Sequence, residues 1–278
     1  MASQEAKLEI CHVEAWIART TAPRHPLTLS HYWGKHFVRI DNMHVKDLRG
    51  VIAIAAGGLL QQLVSNYAAL GATHQERLDA LNKDMRTFQT AAETRAEHIM
   101  PYLRLTDLKT DGWHMLSGKL VKGANTRSLV PWLKSAAHKF LSPHGAVANA
   151  LRRVFDCLCE IDRIQYNASV FFTLDEKRCF AQQFDILGNN WMYLRSMFRL
   201  AKVDAFQITP KVHIFFHLPM QSDLINPRMT QVYQEESLIG HVARVWRASA
   251  KGPYRATVQQ SALMRLFAGL ECRMTADL

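Results

Sequence analysis

Residues 209–240 read TPKVHIFFHLPMQSDLINPRMTQVYQEESLIG and hold the groups best suited to chemistry. His213 and His217 lie on one turn's spacing, just after Pro210, and Glu235 and Glu236 open a stretch with helical periodicity. Far upstream, FVRIDNMHVKDLRG carries Asp41 and His44. Carboxylates at the end of a strand and at the head of a helix can hold divalent metal ions, which activate water or a hydroxyl against a phosphate. The chemistry expected is therefore metal-dependent phosphoryl transfer. Asp41 and Glu235 are its catalytic and metal-holding acids, with Glu236 as the alternate ligand and Mg²⁺ or Mn²⁺ as the ion. His44, His213 and His217 are spaced to orient such acids through hydrogen bonds.

Each of these assignments has a plainer counterpart. Acids in a first helical turn are favoured by the helix dipole alone. Asp41 can cap a turn or a helix, and Asp47 can sit in a first turn for the same dipole reason. A histidine on an apolar face is commonly a satisfied core residue. The zinc-protease helix needs Glu at position 214, where this chain has Ile214, so that class is excluded. On a helix starting at Glu235, the face of Ile239, Val242 and Trp246 also carries Glu235, while Arg244, Arg247 and Lys251 fall opposite. An inward carboxylate is costly unless it is paired or on a metal.

The elements that must position these groups follow from periodicity and punctuation. Phe37–Asp41 reads as a strand, and Val212–Leu218 and Met229–Tyr233 as further β-like pieces. Helices are expected at Leu8–Ala18, Lys46–Tyr67, Ala72–His98, Thr126–Leu141 and Ala146–Gln165, then at Glu235–Ala250 and Tyr254–Arg273. The clearest helix starts at Thr173, where Thr173 and Glu176 have the capping-box form. Behind them Phe180, Phe184, Leu187, Trp191, Leu194, Phe198 and Ala201 form a narrow apolar seam, which is packing rather than a cofactor site. The fold class expected is mainly α with a few short strands (α+β), as one domain. In it an N-terminal segment and strand, 1–45, and a C-terminal segment, 206–278, are separated by a helical block, 46–205.

Composition bounds the function. The 278 residues are 48% apolar, enough for a sizeable core. The formal charge is +10, which favours anionic partners, nucleic acid first. Arg244, Arg247, Lys251 and Arg255, with Trp246 and Tyr254 among them, could lie along a phosphate backbone, and Lys122 and Arg127 form a second basic loop. That loop lacks the P-loop pattern, and no dinucleotide-binding, nucleophile-elbow, kinase or EF-hand signature occurs. Five cysteines without framework spacing point to a reduced, intracellular compartment, with the nucleus as an option. Acids within Met1–Ala15 argue against a signal peptide, and the longest apolar run, Val51–Leu60, is short for a membrane span, so no membrane partner is expected. A homo-oligomer stays open.

Four motifs in order resemble a known family. They are Asp41-x-x-His44 with Asp47-Leu48-x-Gly50, then Lys122–Arg127, then Pro210-Lys211-x-His213-x-x-x-His217-Leu218, and last Tyr233-x-x-Glu235-Glu236-x-x-Gly240. Together they are similar to transposases of the Kyakuja-Dileera-Zisupton kind, over roughly residues 35–270. The resemblance implies the C-terminal part of a ribonuclease-H-like fold, with a large helical insertion before the last catalytic acid. It implies that Asp41 is the middle acid and Glu235 the last. The first acid of such a triad lies on an earlier strand, and no motif before Asp41 matches it, which implies a partial or derived enzyme. Three functions stand side by side: a transposase-derived nucleic-acid-binding protein with a residual or incomplete two-metal site, a helical interaction module in which Asp41 and Glu235 only cap, and a complete metal-dependent DNA nuclease or strand transferase whose third acid has no recognised motif.

Overall fold

The computed structural model describes residues 40–91, 101–108, 114–117, 123–221 and 224–231. All lie in one compact unit, Ile40–Leu278. A single π-helical turn, Met43–Asp47, leads into α1 (Val51–Asn66) and α2 (His74–Ala91). There follow α3 (Gly123–Phe140), α4 (Ala146–Asn167), α5 (Leu174–Leu200), α6 (Pro210–Phe216) and the short α7 (Leu218–Gln221), with a 3₁₀ turn at Pro227–Thr230.

The expected α+β class is corrected by this architecture. The described part is 74% helical and contains no strand or sheet, so no ribonuclease-H-like core is visible in it. Its sole β feature is an isolated antiparallel bridge between Phe171 and Ile225. Val212–Leu218, expected to be β-like, is helical. Thr209 accepts a hydrogen bond from the Val212 N–H at 3.3 Å and Pro210 occupies the first turn. These start signals outweigh the β-propensity of the Val-His-Ile-Phe-Phe run. The piece at Met229 belongs to the 3₁₀ turn for a similar reason: Asn226 caps it by accepting from the Arg228 N–H at 3.0 Å. Ile40 and Asp41, the end of the expected strand, are not in a strand; Phe37, Val38 and Arg39 lie outside the described residues.

The expected helix Lys46–Tyr67 is broken in two. Arg49 takes a left-handed backbone (φ 52°), and a Cβ on Gly50 would stand 1.9 Å from the Val45 carbonyl oxygen. Only glycine passes that point. Beyond the break α1 is buried nearly all round, from Val51 through Leu60 and again at Leu63 and Val64. The stretch Met43–Asn66 is long and apolar enough to cross a membrane by composition, but 72% of its apolar window is buried inside the fold. A helix apolar on every face is what a core position requires. Gly57 lets the 114–117 segment lie directly on α1: a Cβ there would meet the Met115 Cα at 2.5 Å, and the Leu116 N–H reaches the Ala53 carbonyl at 3.1 Å.

Around α1 the other helices close the core. α4 and α5 pack as a hairpin, with α3 against α4. The capping box of α5 forms, as Thr173 accepts from the Glu176 N–H at 3.2 Å and Glu176 from the Thr173 N–H at 2.8 Å. Its seam residues Phe180 to Phe198 are all buried, while Ala201 is exposed beyond the helix end. Phe184 meets Phe215 at 4.7 Å between ring centroids, and Trp191 meets Phe206 edge-on at 5.0 Å. Arg77 donates to the carbonyls of Val64, Ser65, Gly71 and Ala72, so one guanidinium closes the C-terminal end of α1.

Candidate functional site

Residues 40–50 fold into a compact turn that carries two of the candidate groups, Asp41 and His44. Asp41 Oδ1 accepts from the Met43 N–H at 3.0 Å. Its Oδ2 is paired with His44 Nδ1. Both carboxylate oxygens are thus engaged within the turn, in the Asx geometry that the plainer reading describes. Leu48 N–H donates to the Met43 carbonyl at 2.9 Å and closes the π turn, a form of helix that recurs at functional positions.

The turn is anchored by a buried ion cluster. Lys46 is 1% exposed, pairs with Asp162 of α4, and lies 3.5 Å from the carboxylate of the fully buried Asp47. Asp47 therefore ends the π turn beside a lysine rather than opening a helix, which corrects the first-turn reading. Asn42 donates to Gln165 Oε1 at 3.1 Å. Asn226 donates to the carbonyls of Gln165 at 2.8 Å and Ser169 at 3.0 Å, and Thr230 Oγ1 donates to the Ile40 carbonyl at 3.0 Å. Sequence reasoning singled out none of Asn42, Lys46, Asp162, Gln165 or Asn226. Their hydrogen-bond and ion-pair partners named here from other elements lie 57 to 123 positions away along the chain, and no spacing rule reaches that far.

α6 packs on this turn. Lys211 donates to the Leu48 carbonyl at 2.6 Å, so the Asp-Leu-x-Gly motif and the Pro-Lys-x-His motif are in direct contact. Val212 and Phe215 are buried under α6, which turns His213 outward. His213 and His217 face each other with Nε2 atoms 3.1 Å apart.

The remaining predicted site residues divide simply. Glu235, Glu236, Arg244, Arg247, Lys251, Arg255 and Lys122 lie outside the described residues, and Arg127 belongs to the first turns of α3. Among the described residues no group of three or more His, Cys, Asp or Glu side chains converges as a metal would require. With both oxygens of Asp41 already engaged, the described residues do not by themselves form a donor set for two divalent ions. Burial pushes the thiols of Cys157 and Cys159 up to about 11, which makes both unreactive packing groups. No family model, curated protein or solved structure matches this chain.

Proposed function

We propose that the protein is a transposase-derived nucleic-acid-binding protein. The observation that carries the reading is its charge: 34 Lys and Arg against 24 Asp and Glu, a net +10. Many of the described acids are engaged by partners within the fold, mostly at its surface. Asp84 holds Trp132 and Lys139, Asp156 holds Lys134 and His138, and Asp162 holds Lys46. Glu76, Asp107 and Glu176 cap backbone N–H groups. Side chains with a positive charge also face water away from these pairs, among them Lys83, Arg153, Arg199 and Lys202. A surface of that sign attracts a phosphate backbone and releases its counterions. The motif order adds the transposase ancestry. No metal-dependent step is assigned, because Asp41 is held by its own turn.

Salt-titrated binding to duplex DNA tests the proposal. Affinity falls steeply as salt rises, and the Arg244/Arg247/Lys251→Ala variant flattens the slope by about one unit per charge removed. Absence of binding at low salt sinks it. Nicking in Mg²⁺ or Mn²⁺ that is lost in Asp41→Ala would restore the enzyme reading.

One observation favours the second reading, a helical interaction module. Tyr166, Val170, Phe171 and Leu174 are 50%, 51%, 63% and 72% exposed along the α4–α5 turn. Apolar surface concentrated in this way often marks a protein contact. Sedimentation analysis with and without Phe171→Asp separates the readings. Self-association abolished by that change, in a chain that ignores DNA, supports the module.

A further inference from the structure

Resting on the nucleic-acid reading above, we propose that a groove between the end of α1, the start of α4 and the second half of α5 seats one unpaired nucleotide of a single strand. The groove holds about 440 Å³, within the range of pockets that enclose one small ligand. Buried Leu63 and Leu151 form its floor. Tyr67 and Tyr193 bring aromatic rings to its walls. Tyr193 is 37% exposed, so its ring keeps surface on which a base can stack. Tyr67 is backed by Phe140, with ring centroids 6.0 Å apart, which holds it in place. Gln62 and Asn66 add amide groups to the lining. Aromatic rings that stack a splayed base, beside groups that pair with its edge, are how unpaired nucleotides are read. A base held inside a duplex is already paired and stacked and does not enter such a groove.

Charge decides between a nucleotide and a neutral ligand. No Asp or Glu lines the groove. One wall is the first turn of α4, Ala146 to Ala148, behind the N-cap Gly145. Gly145 takes a backbone φ of 134°, which favours glycine, and no side chain caps the helix there. The first N–H groups of a 22-residue helix, with its positive end, therefore border the groove and suit a phosphate. A helix start alone would serve any anion. The aromatic and amide walls beside it select one that carries a base. Residues 186–203, which hold the second half of α5, include Arg195, Arg199 and Lys202 and no acid. A strand leaving the groove past Tyr193 thus meets no like charge from this helix.

Fluorescence anisotropy of the full chain tests this, with a labelled single strand of about 12 nucleotides and with the same strand in a duplex. Tyr193→Ala weakens single-strand binding about fivefold or more and leaves duplex binding unchanged. Ala146→Glu places a carboxylate in the exposed first turn of α4. It weakens single-strand binding while the thermal midpoint holds or rises, because an acid favours a helix start. A merely structural effect would lower the midpoint. Tyr166→Ala, which removes an exposed ring elsewhere, binds the strand as the parent does. Parent-like single-strand affinity in both Tyr193→Ala and Ala146→Glu, or an equal loss on the duplex, overturns the groove assignment. If the parent's duplex binding then still weakens with salt, the wider nucleic-acid reading stands without it. No binding of either DNA at low salt removes both. Displacement of the strand by free dAMP at an equal concentration of nucleotide also overturns the proposal, since the groove then takes a free nucleotide rather than a strand.

Discussion

Lys46 sits in the core with a charge, and its neighbours explain how. Asp162 and Asp47 both lie against it, and the three make one cluster, buried at Lys46 and Asp47 and half-buried at Asp162, that joins the π turn to α4. Burying ions is costly, and removing one member of a buried pair strands the other. Lys46→Ala is therefore expected to destabilise the protein by about 3–5 kcal/mol in urea unfolding. The Lys46→Met/Asp162→Leu double variant leaves fewer stranded charges, so it should unfold closer to the parent than Lys46→Ala does. A double variant as unstable as the single would show that the cluster does more than offset its own desolvation. At this scale the sequence spoke partly. Asp41 was legible as a turn cap or a ligand, and its bond to the Met43 N–H is the cap's. Lys46 and Asp162 carried no local signal, because the pair is defined by the burial of Lys46 against a half-buried carboxylate from a distant helix, which folding alone produces.

Elements obey local rules where punctuation is strong. The Thr173 capping box and the aromatic seam behind it specified α5, and the described parts of four more expected helices fall in α1, α2, α3 and α4. Two of the misread elements show the physical reasons directly. The Val-His-Ile-Phe-Phe run has β-propensity, yet Thr209 and Pro210 make it a helix, and start signals act before propensity is summed. The helix through Lys46 breaks because Arg49 and Gly50 take backbone positions a continuing helix cannot use. Close approach sets a further limit on α1. Gly57 faces backbone atoms of His114 and Met115, which cannot swing aside as a side chain would. Gly57→Ala is expected to cost about 1–3 kcal/mol by thermal or urea unfolding, although alanine is the better helix former. A neutral or stabilising Gly57→Ala would mean that the 114–117 segment moves freely off α1.

For the whole molecule, stability carries the signature of what the core excludes. Cys157 and Cys159 are held protonated by burial, which pushes their pKa values up to about 11, above the ordinary thiol range. The unfolded chain loses these protons first as pH rises, so between about pH 9 and 11 the folded state binds more protons and stability falls with pH. Urea midpoints measured from pH 8 to 11 should decline, and less steeply in a Cys157→Ala/Cys159→Ala variant compared with its own midpoint at pH 8. Equal slopes would remove the thiols from the account. The sequence by itself determined the charge, the supply of apolar residues, the helical periods and the strongest caps, because each depends on composition or on residues within a turn or two. Only the tertiary structure decided that the Asp41 turn rests on α4 and touches α6, that Lys46 finds Asp162, and that His213 and His217 meet at the surface of α6. Those outcomes depend on which distant surfaces exclude solvent together, and that balance is struck over the whole chain at once.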